Sequence, residues 1–228
     1  MSDHPHAHLD PLAHVAQPDQ PDELADARAR AGKAVRDLGH ALIGHHAPME
    51  RINHVTATLD SLTAELCRGS VRTRSEVSQI GDWANPADDG EALKSYDERP
   101  VSGRASPWGL DVDLRREGDD AVATLTLRAA HEGAPKRSHG GIVAALFDDV
   151  FGFVLSFQSQ AAFTGELAIR YEAGVPIGEP LECRVRLTEV KGRKLLMAGE
   201  LTCEGRVLAR STATFITIDS ERFAAGPT

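Results

Sequence analysis

Hydrophobic residues recur with a helical period in the first third of the chain and with a strand period in the second half. Between residues 22 and 69 they lie three or four apart, which predicts two helices separated near Pro48. The apolar stripe of the second helix consists of Ile52, Val55, Leu59, Leu62 and Leu66. Between residues 101 and 219 apolar and polar residues alternate, which predicts two strands, one helix and then four strands. The pattern indicates an α+β protein with an antiparallel sheet and an N-terminal helical pair.

One segment departs from the alternation because it is apolar almost without interruption. It extends from Gly140 to Phe157, and its hydrophobic residues surround the whole circumference of a helix. A helix that is apolar on all sides is buried on all sides, so we expect the sheet to wrap around it. Asp148 and Asp149 interrupt the segment at its centre, and a carboxylate in such a place is costly unless it is paired or reaches a cleft.

The composition of successive segments divides the chain into five parts. Residues 1–21 contain four histidines and four prolines and are predicted to form a flexible tail. Residues 22–69 form the helical pair, and residues 70–100 are a polar linker or covering segment. Residues 101–219 form the main domain, and residues 220–228 form a C-terminal tail.

Charge and composition argue against several classes of function. The 228 residues include 25 Lys and Arg against 34 Asp and Glu, a net charge of −9, which argues against binding to nucleic acid. The nearly balanced charge of residues 22–69 also argues against a DNA-binding helix-turn-helix. The chain begins with polar residues and has no uninterrupted membrane-length apolar stretch, so we expect a cytoplasmic protein without a membrane partner. Its three cysteines form no CxxC pair, and no metal or cofactor motif is present.

Three motifs in the second half of the chain resemble one known family. Residues 138–149 contain His-Gly-Gly followed by Asp148, nine residues after the histidine. Residues 164–171 begin with a threonine, and residues 191–195 contain a Lys-Gly-Arg-Lys turn. In this order the motifs resemble the PaaI-like branch of the 4-hydroxybenzoyl-CoA thioesterase superfamily, over residues 101–219. The resemblance implies the hotdog fold, in which a bent antiparallel sheet wraps around one long central helix, and an acyl-CoA substrate.

The first glycines of the long helix are candidate donors to an oxyanion. Thioester hydrolysis needs hydrogen-bond donors for the developing oxyanion, and the N–H groups of Gly140 and Gly141 lie where a helix leaves such groups unpartnered and its dipole is positive. The alternative is that the two glycines only allow the helix to begin against the sheet. We expect His139 to orient this loop through a hydrogen bond rather than to titrate in catalysis.

Thioester hydrolysis also needs a base or nucleophile and a positioned water. The spacing of the family motif makes Asp148 the catalytic candidate, either as the base that activates water or as a nucleophile, and Asp149 is the second candidate. Thr164 is a candidate for holding the attacking water, and its alternative role is to bond its own backbone at the start of a strand.

Helix geometry predicts that two copies of the chain share each site. Gly140 and Asp148 are eight residues apart, about 12 Å along a helix axis at 1.5 Å per residue. Catalytic groups lie within about 3 Å of the atoms they act on, so one helix hardly serves both needs of one thioester. We therefore expect a homodimer or a dimer of dimers in which Gly140 comes from one subunit and Asp148 from the other.

Two basic clusters are candidates for binding the phosphates of coenzyme A. Arg193 and Lys194, next to Lys191, occupy the turn that resembles the family's coenzyme A segment, and a solvated turn is the alternative. Lys136 and Arg137 form the second cluster, in the loop where several relatives carry an asparagine that helps to hold the substrate and this chain has none.

The residues and the resemblance together favour an acyl-CoA thioesterase that needs neither a metal nor a cofactor. One alternative is a non-catalytic hotdog protein that binds acyl-CoA as a sensor or scaffold. Another is a hydratase or dehydratase on the same fold, which is less favoured because such enzymes usually pair an acid with a catalytic histidine.

Overall fold

The computed structural model describes residues 22–72, 87–93, 96–157 and 161–218. The tails predicted at residues 1–21 and 220–228 lie outside these ranges. The elements in chain order are α1 (Asp22–Gly44), α2 (Met49–Leu66), β1 (Val112–Glu117), β2 (Asp120–Thr126), β3 (Glu132–Ala134), β4 (Arg137–Ser138), α3 (Gly140–Phe157), β5 (Ala162–Tyr171), β6 (Pro180–Lys191), β7 (Lys194–Cys203) and β8 (Arg206–Thr217). A short 3-10 turn, Ala129–His131, precedes β3.

Six strands form one antiparallel sheet in the order β1-β2-β6-β7-β8-β5, and α3 packs against it. The largest fully buried side chains include Phe147 and Phe151 of α3 and Met197 of β7. Strands β6, β7 and β8 alternate between buried and more exposed residues, because only one face of the sheet meets the helix. The predicted α+β architecture, with a sheet around one long helix and two helices before it, is confirmed.

The helix α3 is buried on most sides but not on all. By length and composition it is apolar enough to span a membrane, and 56% of it is buried inside the fold. The side that carries Gly141, Ala145 and Asp148 stays partly or fully exposed. These residues are four and three positions apart and therefore form one stripe along the helix. The expectation of complete burial is wrong for this stripe.

The first predicted strand and the loop before α3 differ in detail from the sequence pattern. The alternation of apolar and polar residues begins at Leu110, which predicts a strand from there, but β1 begins at Val112 and Leu110 is buried in the segment before it. The loop contains a small hairpin of β3 and β4, which has few paired residues and therefore gives no alternating pattern.

The two edges of the sheet differ in whether other described residues cover them. Along β1, residues 90–93 form three backbone hydrogen bonds of 2.9 Å with Leu114 and Arg116. Ala92 also forms an isolated bridge with Arg115, so this edge is covered. Strand β5 pairs with β8 on one side, and among the described residues no strand pairs with its other side. An uncovered edge presents unpaired backbone N–H and C=O groups.

Helix α1 contacts the sheet domain through a polar face. Gly32, Arg36 and His40, spaced four apart, are its buried residues. The Arg36 guanidinium donates to Asp111 Oδ1 at 2.9 Å and to the carbonyl oxygens of Arg104 and Ser106. A Cβ at Gly32 would lie 2.4 Å from the Ala105 carbonyl oxygen, so only glycine permits this approach.

Two histidines in edge-to-face contact complete the contact between α1 and the sheet domain. The rings of His40 and His131 meet edge to face, with centroids 4.5 Å apart. His40 Nδ1 accepts from the Ala130 N–H at 3.1 Å, and His131 Nδ1 accepts from the Arg128 N–H at 3.0 Å. The His131 carbonyl oxygen in turn accepts from the His139 N–H at 2.9 Å, so this contact is connected to the start of α3.

Both histidines are held in their neutral form. Burial, with the nearby His40 and Arg128 charges, lowers the pKa of His131 from 6.5 to about 4, and Asp111 opposes this weakly. Burial and Arg128 also lower the pKa of His40, against the opposing charges of Asp111 and Asp37. The acceptor role of each Nδ1 has the same requirement, because a protonated imidazole has no acceptor.

The histidine pair predicts a loss of stability in mild acid. Between pH 6.5 and about 4 the unfolded chain binds a proton at residue 131 that the folded chain does not, so the free energy of unfolding falls as the pH falls through this window. A pKa change from 6.5 to about 4 corresponds to a free energy on the order of 3 kcal/mol. Urea unfolding at a series of pH values measures it.

The matched variants are His131→Asn, which keeps an acceptor at that position, and His54→Asn on the exposed surface of α2. We expect His131→Asn to flatten the pH dependence and His54→Asn to leave it unchanged. An equal slope in wild type and His131→Asn would contradict the assignment.

Candidate active site

The start of α3 presents one backbone N–H that is free and one that is capped. The Gly141 N–H donates to His139 Nδ1 at 3.0 Å, so the histidine side chain caps the first turn of the helix. The Gly140 N–H forms no hydrogen bond with any residue in the described part of the chain. Of the two predicted oxyanion donors, Gly140 is the one available to a ligand.

Tyr171 fixes the same turn from the end of β5. Its hydroxyl donates to the Gly140 carbonyl oxygen at 2.7 Å. A Cβ at Gly140 would lie 3.2 Å from this hydroxyl, and a Cβ at Gly141 would lie 3.0 Å from His139 Nδ1. Both contacts are tighter than ordinary packing, so glycine at these positions lets the capping groups approach.

Asp148 lies on the exposed stripe of α3 and is held by Thr164. The Thr164 hydroxyl donates to Asp148 Oδ1 at 2.9 Å, which joins the helix to the beginning of β5. The register of β5 against β8 shifts between Thr164 and Glu166, so Gly165 is an extra residue in the strand. The threonine side chain therefore bonds to the carboxylate rather than to its own backbone, and Asp148 remains open to solvent.

Asp149, the second candidate acid, is buried in an ion pair. Its side chain is 8% exposed, and Oδ1 accepts from Arg99 Nε at 2.7 Å. The Arg99 guanidinium also donates to the Asp149 carbonyl oxygen at 2.8 Å and lies 4.3 Å from the centroid of the Phe153 ring. Gly152 allows this approach, since a Cβ there would lie 2.5 Å from the arginine. These contacts make Asp149 a structural residue and leave Asp148 as the accessible acid.

The candidate residues lie at two separate places along the exposed stripe. Gly140, His139 and Tyr171 are at the N-terminal end of α3, and Asp148 and Thr164 are at its centre. Eight helical residues correspond to about 12 Å, so the free N–H and the carboxylate of one chain do not converge on one carbonyl group.

The basic residues also form two separate groups. Lys136 and Arg137 lie in the β3–β4 hairpin beside the start of α3, where Arg137 pairs with Pro176. Arg193 and Lys194 lie at the β6–β7 turn, and the Arg193 guanidinium donates to the Thr217 carbonyl oxygen at 2.8 and 3.1 Å. Thr217 pairs with Ala162 at the first residue of β5, whereas the hairpin lies near its last residue.

The Lys191 ammonium, next to that turn, lies 2.8 Å from a Glu189 carboxylate oxygen, which partly neutralises its charge.

Sequence patterns did not single out Tyr171 or Arg99 as site residues. Tyr171 lies in a motif that the sequence did identify, on the same strand face as Leu167 and Ile169. Arg99 lies in a polar segment without periodicity, which gives no signal for a long-range partner. Within the described ranges no three His, Cys, Asp or Glu side chains are grouped so as to hold a metal ion.

Comparison with known proteins shows which family this arrangement resembles. Residues 137–210 match the family model described as the thioesterase superfamily, a segment that includes every candidate residue named above except Lys136, Arg99 and Thr217. The crystal structure of protein RHA08564, a thioesterase superfamily protein, superimposes with a TM-score of 0.71 at 26% identity, over 88% of this chain and 97% of that one. Residues 137–210 thus resemble the thioesterase superfamily, and the chain has the hotdog fold. The predicted resemblance is thereby confirmed.

The likeness to RHA08564 extends beyond the hotdog domain. It covers 88% of this chain, which is more than residues 101–219 supply and therefore includes N-terminal residues as well. Acyl-coenzyme A thioesterase THEM5 is 27% identical in Mus musculus and 28% identical in Homo sapiens, over 92 residues. The matched segment is 40% of this chain and 37% of each relative, so the chain spans about a third of their length.

Substitutions of the two adjacent acids, Asp148 and Asp149, are expected to differ in their effect on stability. Asp149→Asn removes the carboxylate that pairs with the buried Arg99, and breaking such a pair costs about 3 kcal/mol or more. Asp148→Asn changes an exposed residue, so we expect a change within about 0.5 kcal/mol. Chemical denaturation of the two variants beside wild type measures the difference, and equal stabilities would show that the Arg99 pair is not a structural anchor.

Proposed function

We propose that this protein hydrolyses acyl-CoA thioesters to the free acid and coenzyme A. The observation that carries the proposal is an exposed carboxylate, Asp148, held by Thr164 on a core helix whose first turn presents the free Gly140 N–H. An unburied carboxylate on the most apolar helix of the chain serves no packing purpose. The thioesterase superfamily match and the named activity of the THEM5 relatives support the same reaction class.

In the proposed reaction, the thioester carbonyl oxygen accepts a hydrogen bond from the Gly140 N–H. The helix dipole stabilises the negative charge that develops on this oxygen. A water bound between Asp148 and the Thr164 hydroxyl oxygen adds to the carbonyl carbon as the carboxylate takes its proton. The C–S bond then breaks, and the coenzyme A thiolate leaves and is protonated. Direct attack by Asp148, followed by hydrolysis of the anhydride, would use the same residues.

The proposed site requires two copies of the chain. If β5 pairs antiparallel with β5 of a second copy about a two-fold axis, the first residues of one strand lie opposite the last residues of the other. Thr164 and Asp148 of one subunit then approach Tyr171 and Gly140 of the other. The uncovered edge of β5 and the exposed stripe of α3 support this arrangement, because both leave surface that a second copy would bury.

The same pairing would bring the two basic groups together. In one chain, Arg193 and Lys194 lie near the first residue of β5, and Lys136 and Arg137 lie near its last residue. The ten-residue length of β5 therefore separates the two basic groups. Across the two-fold axis they become neighbours. We propose that together they bind the phosphates of coenzyme A, with Arg193 contributing the part of its guanidinium that Thr217 leaves free.

A non-catalytic acyl-CoA binding protein is the second candidate function. The observation that favours it is the bond from the Gly141 N–H to His139, because it leaves one backbone donor for the oxyanion where the sequence predicted two. Binding of acyl-CoA without release of free thiol would support this alternative.

Removal of the Asp148 carboxylate is expected to abolish turnover. Asp148→Asn should lower kcat by about 10²- to 10⁴-fold, the usual contribution of a positioned base. Thr164→Val should lower it less, because the hydroxyl only positions the carboxylate and the water. Free-thiol release from a panel of acyl-CoAs measures both. Asp113→Asn, at an exposed position on β1, is the matched control and should keep wild-type activity. Unchanged hydrolysis by Asp148→Asn would reject the assignment.

A mixture of two inactive variants is expected to regain activity. Gly140→Val blocks the approach to the helix N-terminus, and Asp148→Asn removes the acid, so neither variant should turn over alone. When the two are unfolded together and refolded at equal amounts, half of the dimers are mixed and one of their two sites is intact. The expected rate is about a quarter of wild type. A mixture that stays inactive, although native mass spectrometry shows mixed dimers, would place both groups in one chain's site.

A further inference from the structure

The two N-terminal helices leave most of their large hydrophobic side chains exposed. The hydrophobic stripe of α1 remains largely outside the contact with the sheet domain, which uses Gly32, Arg36 and His40 instead. In α2 no residue is buried at all. The exposed large hydrophobic residues of the two helices are Leu24, Val35, Leu42, Ile43, Met49, Leu59, Leu62 and Leu66. An apolar surface of this extent marks an interaction site rather than ordinary surface.

The stripe of α2 has the spacing of a coiled-coil seam. Ile52, Leu59 and Leu66 are seven residues apart, and Val55 and Leu62 lie between them at alternating steps of three and four. One flank of the seam consists of the residues that directly precede Ile52, Leu59 and Leu66. These are Arg51, Thr58 and Glu65. The other flank is Thr56 and Thr63. The two charges that border the seam are thus opposite in sign and lie at its two ends.

The charges that border the seam have no partner within the chain. Arg51 and Glu65 are exposed, and within the described residues neither forms an ion pair. They are fourteen residues apart, about 21 Å along the helix, so they do not reach one another in one copy. The hydroxyls of Thr56 and Thr58 donate to carbonyl oxygens of α2 itself, at 3.1 and 2.9 Å.

We propose that α2 pairs antiparallel with α2 of a second copy of this chain. With Thr58 facing its own copy at the two-fold axis, Arg51 of each helix lies beside Glu65 of the other, which gives two symmetric ion pairs. The seam then places Ile52 against Leu62 and Val55 against Leu59. A parallel pair would place Arg51 beside Thr56 instead and would form neither ion pair. Charge complementarity therefore selects both the partner and the direction.

The charge of α2 also argues against a membrane as the occupant of its apolar face. Between Met49 and Leu66 the helix has three acidic residues and one arginine, whereas helices that bind anionic lipid surfaces are rich in Lys and Arg on the polar face. The proposed contact is separate from the β5 edge. It therefore stands or falls independently of the proposed hydrolysis.

The test uses the full chain with a nitroxide at the proposed two-fold axis. Thr58→Cys is labelled in a chain that also carries Cys67→Ser and Cys203→Ser, since Cys183 is fully buried. We expect dipolar broadening of the spectrum, because two labels at residue 58 lie side by side. Arg51→Glu or Glu65→Arg alone turns both ion pairs into like-charge contacts and should weaken association roughly tenfold.

Mixing the two single variants gives the decisive measurement. A chain with Arg51→Glu and a chain with Glu65→Arg form two attractive contacts with each other and none with themselves, so the broadening should return in the mixture. Glu50→Arg and Arg68→Glu, whose positions lie away from the seam, are the matched controls and should keep wild-type broadening.

The proposal fails if the wild-type chain shows no broadening, if the single variants keep it, or if the mixture does not regain it. Loss of exposure at residue 58 without broadening would show that residues of the same chain, such as 73–86, cover α2. Binding of the label to phosphatidylserine vesicles without broadening would identify a membrane as the occupant, and would equally overturn the pairing.

Discussion

Burial of one apolar helix is the constraint on which the rest of this structure depends. Helix α3 has so few polar residues that most of its circumference must be removed from water, and one antiparallel sheet bent around it does so. The two acids on the helix then need separate solutions. Asp149 is buried against Arg99, which anchors the segment before β1, while Asp148 lies on the single open stripe. The same helix thus supplies both the core and the accessible carboxylate.

A single chain leaves three features incomplete, and they concern different parts of the fold. Among the residues that the structure describes, none pairs with the outer edge of β5, covers the stripe of α3 or buries the seam of α2. The first two are adjacent, and one contact across β5 would cover both. The third is on the N-terminal helices and calls for a contact of its own. Two separate self-contacts in one chain are compatible with a closed dimer or with a dimer of dimers.

Periodicity predicted the succession of two strands, one helix and four strands along the chain and both N-terminal helices, because each depends on the local spacing of apolar and polar residues. The motif spacing selected Asp148, and the structure supports its accessibility. Periodicity failed for α1, where Arg36 and His40 rather than the apolar stripe meet the sheet domain. It also gave no sign of Arg99, whose partner is fifty residues away. Long-range ion pairs depend on the assembled fold, and a single sequence contains no pattern for them.

The backbone hydrogen bond from the His139 N–H to the His131 carbonyl oxygen connects helix α1 to the first turn of α3. Through this bond, α1 supports the conformation of that turn. The His40 ring of α1 meets the His131 ring edge to face. The His131 carbonyl oxygen accepts from the His139 N–H, and the His139 side chain caps Gly141. Helix α1 is therefore a buttress behind the loop that carries the candidate oxyanion donor. Truncation of the chain to its hotdog domain would remove that support, so the loop before α3 in the shortened protein would lack a contact that it has in the whole chain.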